Sequence, residues 1–227
     1  MHLSSLARIV AAALLAALLA GCSLRSDAPL IASSDLPEPM VEGSYQPMRI
    51  LPKRWIRKLP RAFRTDCVDP GYTVERRDKR DRPTGKREPV IYCAYDLDKK
   101  QLFPRVRIER RGDALWWRGL ESEGELRFQR LREGYYLVQQ DGSTAEAPSF
   151  DYALYRVRSP HPEIFFLHCD DTRFANVTAA NRAKGSSDCT IDSLDQIRAE
   201  LNAYVARAEA GDEPVFFLLK RIESSTP

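Results

Sequence analysis

Three groupings in the 227-residue chain have side chains of the right kind for catalysis or metal binding. The first is His168–Cys169, the one place where a histidine and a cysteine are neighbours. Adjacent residues of a strand point to opposite faces, so this imidazole does not readily reach the thiol, and His168 reads as a sheet-face histidine. His161 lies in Ser-Pro-His-Pro, which reads as an exposed turn. The second grouping is Asp170 and Asp171 with Asp188 and Asp192. A calcium loop needs ligands at alternating positions and a closing Glu, and that spacing is missing; caps and turns are the ordinary work of such residues. The third is Glu121, Glu123 and Glu125, which alternate around Gly124. Paired carboxylates can cleave glycosides, but the glycine and the polarity here mark a solvated hairpin tip. G-x-S-x-G, H-E-x-x-H, P-loop and G-x-G-x-x-G patterns are all missing. The chain therefore reads as non-catalytic, with no metal and no cofactor.

The N-terminus carries an address. Arg8 is followed by the uncharged run Ile9–Ala20. Twelve residues are too few to span roughly 30 Å of hydrocarbon and match a signal-peptide core. Then comes Leu19-Ala20-Gly21-Cys22, which resembles the lipobox of bacterial lipoproteins at all four positions. The resemblance implies cleavage before Cys22 and lipidation of that residue, palmitate included. It implies a mature chain held by several acyl chains, which anchor firmly where one would be marginal. Ser23 in place of Asp implies the outer membrane, on its periplasmic side.

Four further cysteines remain: Cys67, Cys93, Cys169 and Cys189. An even number in an oxidising compartment points to two disulfides. Three pairings are possible; Cys67–Cys93 and Cys169–Cys189 are favoured because each joins neighbours in sequence. Each would be worth about 3 kcal/mol in the chain-entropy model. No pair has zinc-knuckle spacing.

Charge is unevenly spread. The net +3 hides a stretch from 49 to 87 with fourteen basic and five acidic residues. Within it, residues 49–64 hold seven basic residues and no acidic one: Arg49, Lys53, Arg54, Arg57, Lys58, Arg61 and Arg64. Trp55 sits among them, with Ile50, Leu51, Ile56, Leu59 and Phe63 interleaved. Trp and Arg suit a bilayer interface, so this segment is a candidate membrane or polyanion contact. The competing reading is an arm that packs its apolar residues on the domain. The near-balance overall excludes a strongly basic nucleic-acid binder.

These residues need positioning elements. From Gly71 onward, short runs rich in Val, Ile, Tyr, Phe and Trp alternate with turn signals. They predict strands at Tyr72–Arg76, Val90–Leu97, Arg105–Arg111, Leu115–Leu120, Glu125–Leu131, Tyr135–Gln140, Tyr152–Arg158 and Ile164–Cys169, with a last one at Val215–Ile222. Arg76–Arg87 reads as a polar hairpin loop. Val106 and Ile108, or Leu126 and Phe128, alternate with charged neighbours, which means antiparallel pairing. Leu194, Ile197, Leu201, Tyr204, Val205 and Ala208 form one stripe of a helix, with Ser193 and Gln196 in capping-box spacing. The neighbouring aromatics Trp116–Trp117, Tyr135–Tyr136 and Phe165–Phe166 each put one ring on the second face, as a ligand platform or under the helix.

The expected fold class is α+β: a curved antiparallel sheet or open barrel of about eight or nine strands, with one C-terminal amphipathic helix packed on it. The expected divisions are a signal peptide (1–21), lipidated Cys22 with a flexible tether (22–48), a basic arm (49–64) and one periplasmic β-rich domain (65–227). The expected role is a non-catalytic, outer-membrane-anchored module for binding or envelope assembly. Its partners would be the membrane through the lipid anchor, and envelope proteins, peptidoglycan or anionic lipid, but not nucleic acid. Alternatives are a carrier of lipid or small apolar ligands, which requires a continuous apolar cavity, and a periplasmic hydrolase with a non-local site.

Overall fold

The computed structural model describes residues 24–32, 35, 42–77, 83–119, 123–142, 148–157, 161–167, 189–210 and 215–222. In chain order the strands are β1 (Leu24–Ser26), β2 (Gly43–Pro52), β3 (Thr73–Arg77), β4 (Pro83–Cys93), β5 (Tyr95–Asp96), β6 (Gln101–Leu102), β7 (Val106–Arg111), β8 (Ala114–Arg118), β9 (Glu123–Arg132), β10 (Tyr135–Asp141), β11 (Phe150–Arg156), β12 (Glu163–Phe166), β13 (Cys189–Thr190) and β14 (Phe217–Ile222). Helix α1 spans Arg198–Ala210, preceded by a 3₁₀ turn at Leu194–Ile197.

Eight of these strands close into an antiparallel barrel. From β7 to β12 each strand pairs with the next, and β14 follows β12. β2 completes the circle by lying between β14 and β7. The fold is thus α+β, and the curvature anticipated from the alternating strands runs to full closure. Every barrel strand sends a side chain into one apolar cluster. Tyr45, Ile108, Leu115, Leu126, Phe128, Tyr136, Tyr155 and Leu219 are its buried members, and Ile164 of β12 packs against them. A cluster fed by all eight strands is the barrel interior. Phe128 meets Tyr136 and Tyr155 edge-on there, with ring centroids 6.5 and 5.7 Å apart. Eight strands leave an interior about wide enough for side chains to fill.

A second, larger core lies outside the barrel wall. Leu137, Leu154, Phe165 and Leu218 alternate with the inward residues and meet Ile197, Leu201, Tyr204, Val205 and Ala208 of the helix. Every member of the stripe read from sequence is found here except Leu194, which packs at its margin. Ser193 makes no side-chain cap; Gln196 instead accepts the backbone N–H of Asp192.

The tether reading is corrected for the described part of 22–48. Leu24–Ser26 forms β1 beside β11, Ile31 is buried in the outer core, and β2 begins at Gly43. The basic arm is likewise part of the fold: Arg49–Pro52 end β2, and Lys53–Lys58 and Arg61–Phe63 are 3₁₀ turns. β2 hid from sequence reading for a physical reason. Its buried residues Tyr45, Met48 and Leu51 recur every three positions and enter three different cores, interior, outer wall and disulfide cluster. That is neither the period of a half-buried strand nor a helical stripe, and Pro47 and Pro52 add breaker signals.

Cys67 and Cys93 form a disulfide, as favoured. It ties the turn region to β4 within a small cluster of Leu51, Leu59 and Ile91. Cys169 lies outside the described residues, so the Cys169–Cys189 pairing does too. His168, Asp170, Asp171, Asp188, Glu121, Cys22 and the signal segment are also outside them.

Candidate functional site

Where β2 ends, β4 continues. Residues 90–93 of β4 pair with 49–52 of β2, but the β3–β4 hairpin runs on past that point. The chain leaving β2 turns through Lys53–Lys58 alongside it. Between the two lies an open groove of about 820 Å³. Its floor is apolar: Ile50, Pro52, Val74 and Val90. Thr84, Lys86 and Glu88 line it because even-numbered residues of β4 share one face. Arg54, Trp55, Glu75 and Arg76 complete the rim.

Trp55 is one of two large apolar side chains left well exposed among the described residues, at 36%. Lys58 Nζ stands 4.1 Å over its ring. Some cations of the basic segment are committed elsewhere. Arg54 pairs with Glu88 at 2.5 Å and Lys53 with Asp69 at 2.6 Å. That hydrogen bond from Lys53, with a second from the Gly71 N–H, holds the Asp69 carboxyl below its ordinary pKa. Arg64 donates to the carbonyls of Leu59 and Arg57, and Arg49 lies over the Phe216 ring. Arg57, Lys58, Arg61, Arg76 and Lys86 are exposed and have no carboxylate partner among the described residues. The segment picked out by charge is therefore split: half holds the fold, half faces outward around one indole.

Of the carboxylates weighed for catalysis, the described pair Glu123 and Glu125 is tied up. Glu123 is gripped by Arg111 at 2.8 Å and by Arg118 at 3.0 Å. Those hydrogen bonds lower its pKa to about 2. Glu125 pairs with Arg127 at 2.9 Å. Held this low, Glu123 is a spectator for acid–base work near neutral pH. Among the described residues no group of three His, Cys, Asp or Glu side chains could hold a metal. The second-face aromatics also find partners. Tyr135 and Phe165 lie in the outer core, and Phe165 meets Tyr204 of α1 edge-on. Trp116 lies beneath Arg111, and Trp117 packs on the interior cluster. Gly124 makes room for that indole, since a Cβ there would stand 2.9 Å from Trp117 Nε1.

Two buried polar networks have no sequence signature. In one, Arg156 and Glu163 pair beneath α1, and Glu163 accepts from the Tyr72 hydroxyl. Arg156 donates to Tyr135 Oη at 2.9 Å, to Tyr72 Oη at 3.2 Å and to the Ala208 carbonyl at 3.1 Å. One guanidinium thus joins the barrel, the helix C-terminus and the hairpin base. Burial and nearby Glu163 push the Tyr92 phenol far above its usual range. In the other, Gln139 Oε1 accepts the N–H groups of Leu30 at 2.8 Å and Ile31 at 3.0 Å. Ser26 and Tyr152 share a hydrogen bond of 2.7 Å, and Arg25 pairs with Asp151 at 2.7 Å. Arg127 donates to the Ile31 carbonyl at 3.1 Å, and Asp35 N–H to that of Phe128 at 2.7 Å. Residues 24–32 and Asp35 thus contact β11, β10 and β9 in turn, as a strap across the outer wall.

No protein-family model matches the chain, and neither a curated protein nor a solved structure resembles it.

Proposed function

We propose that the chain is a non-catalytic lipoprotein of the outer membrane, anchored through Cys22 on the periplasmic side, and that it works as a binding or envelope-assembly module. Its working surface is the groove beside Trp55. The observation that carries this reading is the contrast, among the described residues, between the barrel interior and the groove. The barrel interior is occupied by its own aromatic side chains, whereas the groove is open, apolar at its floor and rimmed by charge. Carriers of apolar ligands need an enclosed cavity of several hundred Å³, and the occupied interior argues against that role. Paired, exposed carboxylates argue against hydrolysis at the acidic cluster.

The test is made in cells. A photoreactive residue at Thr84 or Lys86 in the groove is compared with one at Lys99, away from it. Crosslinks to an envelope component from the groove positions alone are the expected result. Equal labelling from Lys99, or lipid retained inside the barrel on native mass spectrometry, overturns the reading. Cys22→Ala is expected to move the protein from the membrane to the soluble periplasmic fraction.

A further inference from the structure

We infer that the Trp55 surface rests on the bilayer itself, its cations against anionic phospholipid headgroups; this inference depends on the lipid anchor at Cys22 proposed above. The argument begins with chain length. Two residue steps separate Cys22 from Leu24, so their Cα atoms are at most about 7 Å apart. Leu24 is the first residue of β1 and is 1% exposed in the outer core. A free tether over residues 23–48 would reach roughly 90 Å when extended. The strap removes that reach and holds the body against the membrane.

The position of the groove relative to the anchor follows from hydrogen bonds. Leu24 N–H donates to the Leu167 carbonyl at 3.3 Å, Phe216 N–H to Ile164 at 3.0 Å and Ile50 N–H to Phe216 at 3.4 Å. Three inter-strand steps of about 4.8 Å, with three residues along β12, place Ile50 within about 20 Å of Leu24. Ile50, Val74 and Val90 of the groove floor belong with Leu24 to one apolar cluster. The surface beside the anchor therefore includes an exposed indole and the five outward cations Arg57, Lys58, Arg61, Arg76 and Lys86. Tryptophan settles at headgroup level, and clustered Lys and Arg bind anionic surfaces. The chemistry of this patch matches a bilayer better than a neutral or cationic protein face.

The experiment uses the full lipidated chain in vesicles containing brominated phosphatidylglycerol, with tryptophan fluorescence as readout. Trp116 and Trp117 supply the background. The expected result is a quenched component that disappears in Trp55→Phe and shrinks in Arg57→Glu/Lys58→Glu/Arg61→Glu. Charge reversal at Lys99, Arg105 and Arg130 leaves it in place. Circular dichroism and melting temperature confirm that each variant is folded. Quenching that is unchanged in Trp55→Phe, or missing in a chain that sediments with the vesicles, overturns the inference. So do groove crosslinks to protein or peptidoglycan with no lipid adduct. Mass spectrometry of the N-terminal peptide separates the two claims: an unmodified Cys22 refutes the anchor and the inference with it, whereas an acylated Cys22 without Trp55 quenching refutes the inference alone.

Discussion

Gln139 is the residue on which the strap depends. It is 2% exposed, and its single oxygen serves two backbone donors. Gln139→Ala leaves both N–H groups unpaired in a buried place, and each such group costs about 1–3 kcal/mol. A loss of about 2–4 kcal/mol is expected in urea unfolding. His161 gives a pH dependence. The turn expected to be exposed leaves this side chain partly buried: burial, reinforced by Lys220, lowers its pKa, and among the described residues its buried Nδ1 has no partner. The unfolded chain then binds more protons than the folded one at pH values just below the ordinary histidine pKa. Stability is therefore expected to fall as pH drops below about 6.5 and to level off beneath the depressed folded value. Unfolding midpoints across pH 5 to 7.5 check this, and His161→Gln should flatten the slope. Neither residue announces itself in sequence, because each role depends on a neighbour far along the chain.

At the scale of elements, two fasteners tie parts together from within their shared apolar cores. Arg156 joins β11, β12, the end of α1 and Tyr72 beside β3. Arg156→Met strands the Glu163 carboxylate and is expected to cost about 3–5 kcal/mol. Arg156→Met/Glu163→Leu should recover much of that loss, which a double-mutant cycle in urea measures. The Cys67–Cys93 bridge closes a loop 26 residues apart in sequence and holds the turns around Trp55 to β4. Cys67→Ser/Cys93→Ser is expected to cost about 3 kcal/mol, seen as a lowered urea midpoint.

Most of the elements were legible for a simple reason. Strands β7 and β9 face water on one side and the barrel on the other, so their pattern alternates cleanly, whereas β10 and β11 bury residues on both faces and are marked by aromatic and branched composition instead. The helix was legible because one stripe of Leu201, Tyr204, Val205 and Ala208 is buried. β1 is only three residues long, and β2 serves three cores at once, so neither carries a period. Of the groove, sequence supplied the residues, Trp55 and its cations, but not the wall opposite. The hairpin face of Thr84 and Lys86 read as loop because charge outweighed its alternation.

For the whole molecule, closure of the barrel decides what the interior can do. Phe128 stands at the meeting point of three aromatic rings and is 1% exposed. Phe128→Ala is expected to cost about 3–5 kcal/mol and to open a dry cavity. Only that variant should bind a small apolar probe such as xenon or benzene, which calorimetry or probe-induced shifts in nuclear magnetic resonance can detect. Uptake of such a probe by the wild-type chain would show that the interior has spare room after all.

β2 also has a consequence for how the molecule is made. It is drawn from the beginning of the domain, yet its partner across six registered pairs is β14, the last strand. A chain that emerges N-terminus first from the ribosome therefore presents β2 long before residues 217–222 follow. Until they arrive, β12 and β2 both keep an open edge, and the circle cannot shut. Long-range pairing of this kind folds slowly. Closure thus has a built-in final step, with an interval in which unpaired strand edges are exposed. A product truncated before β14 never leaves that interval.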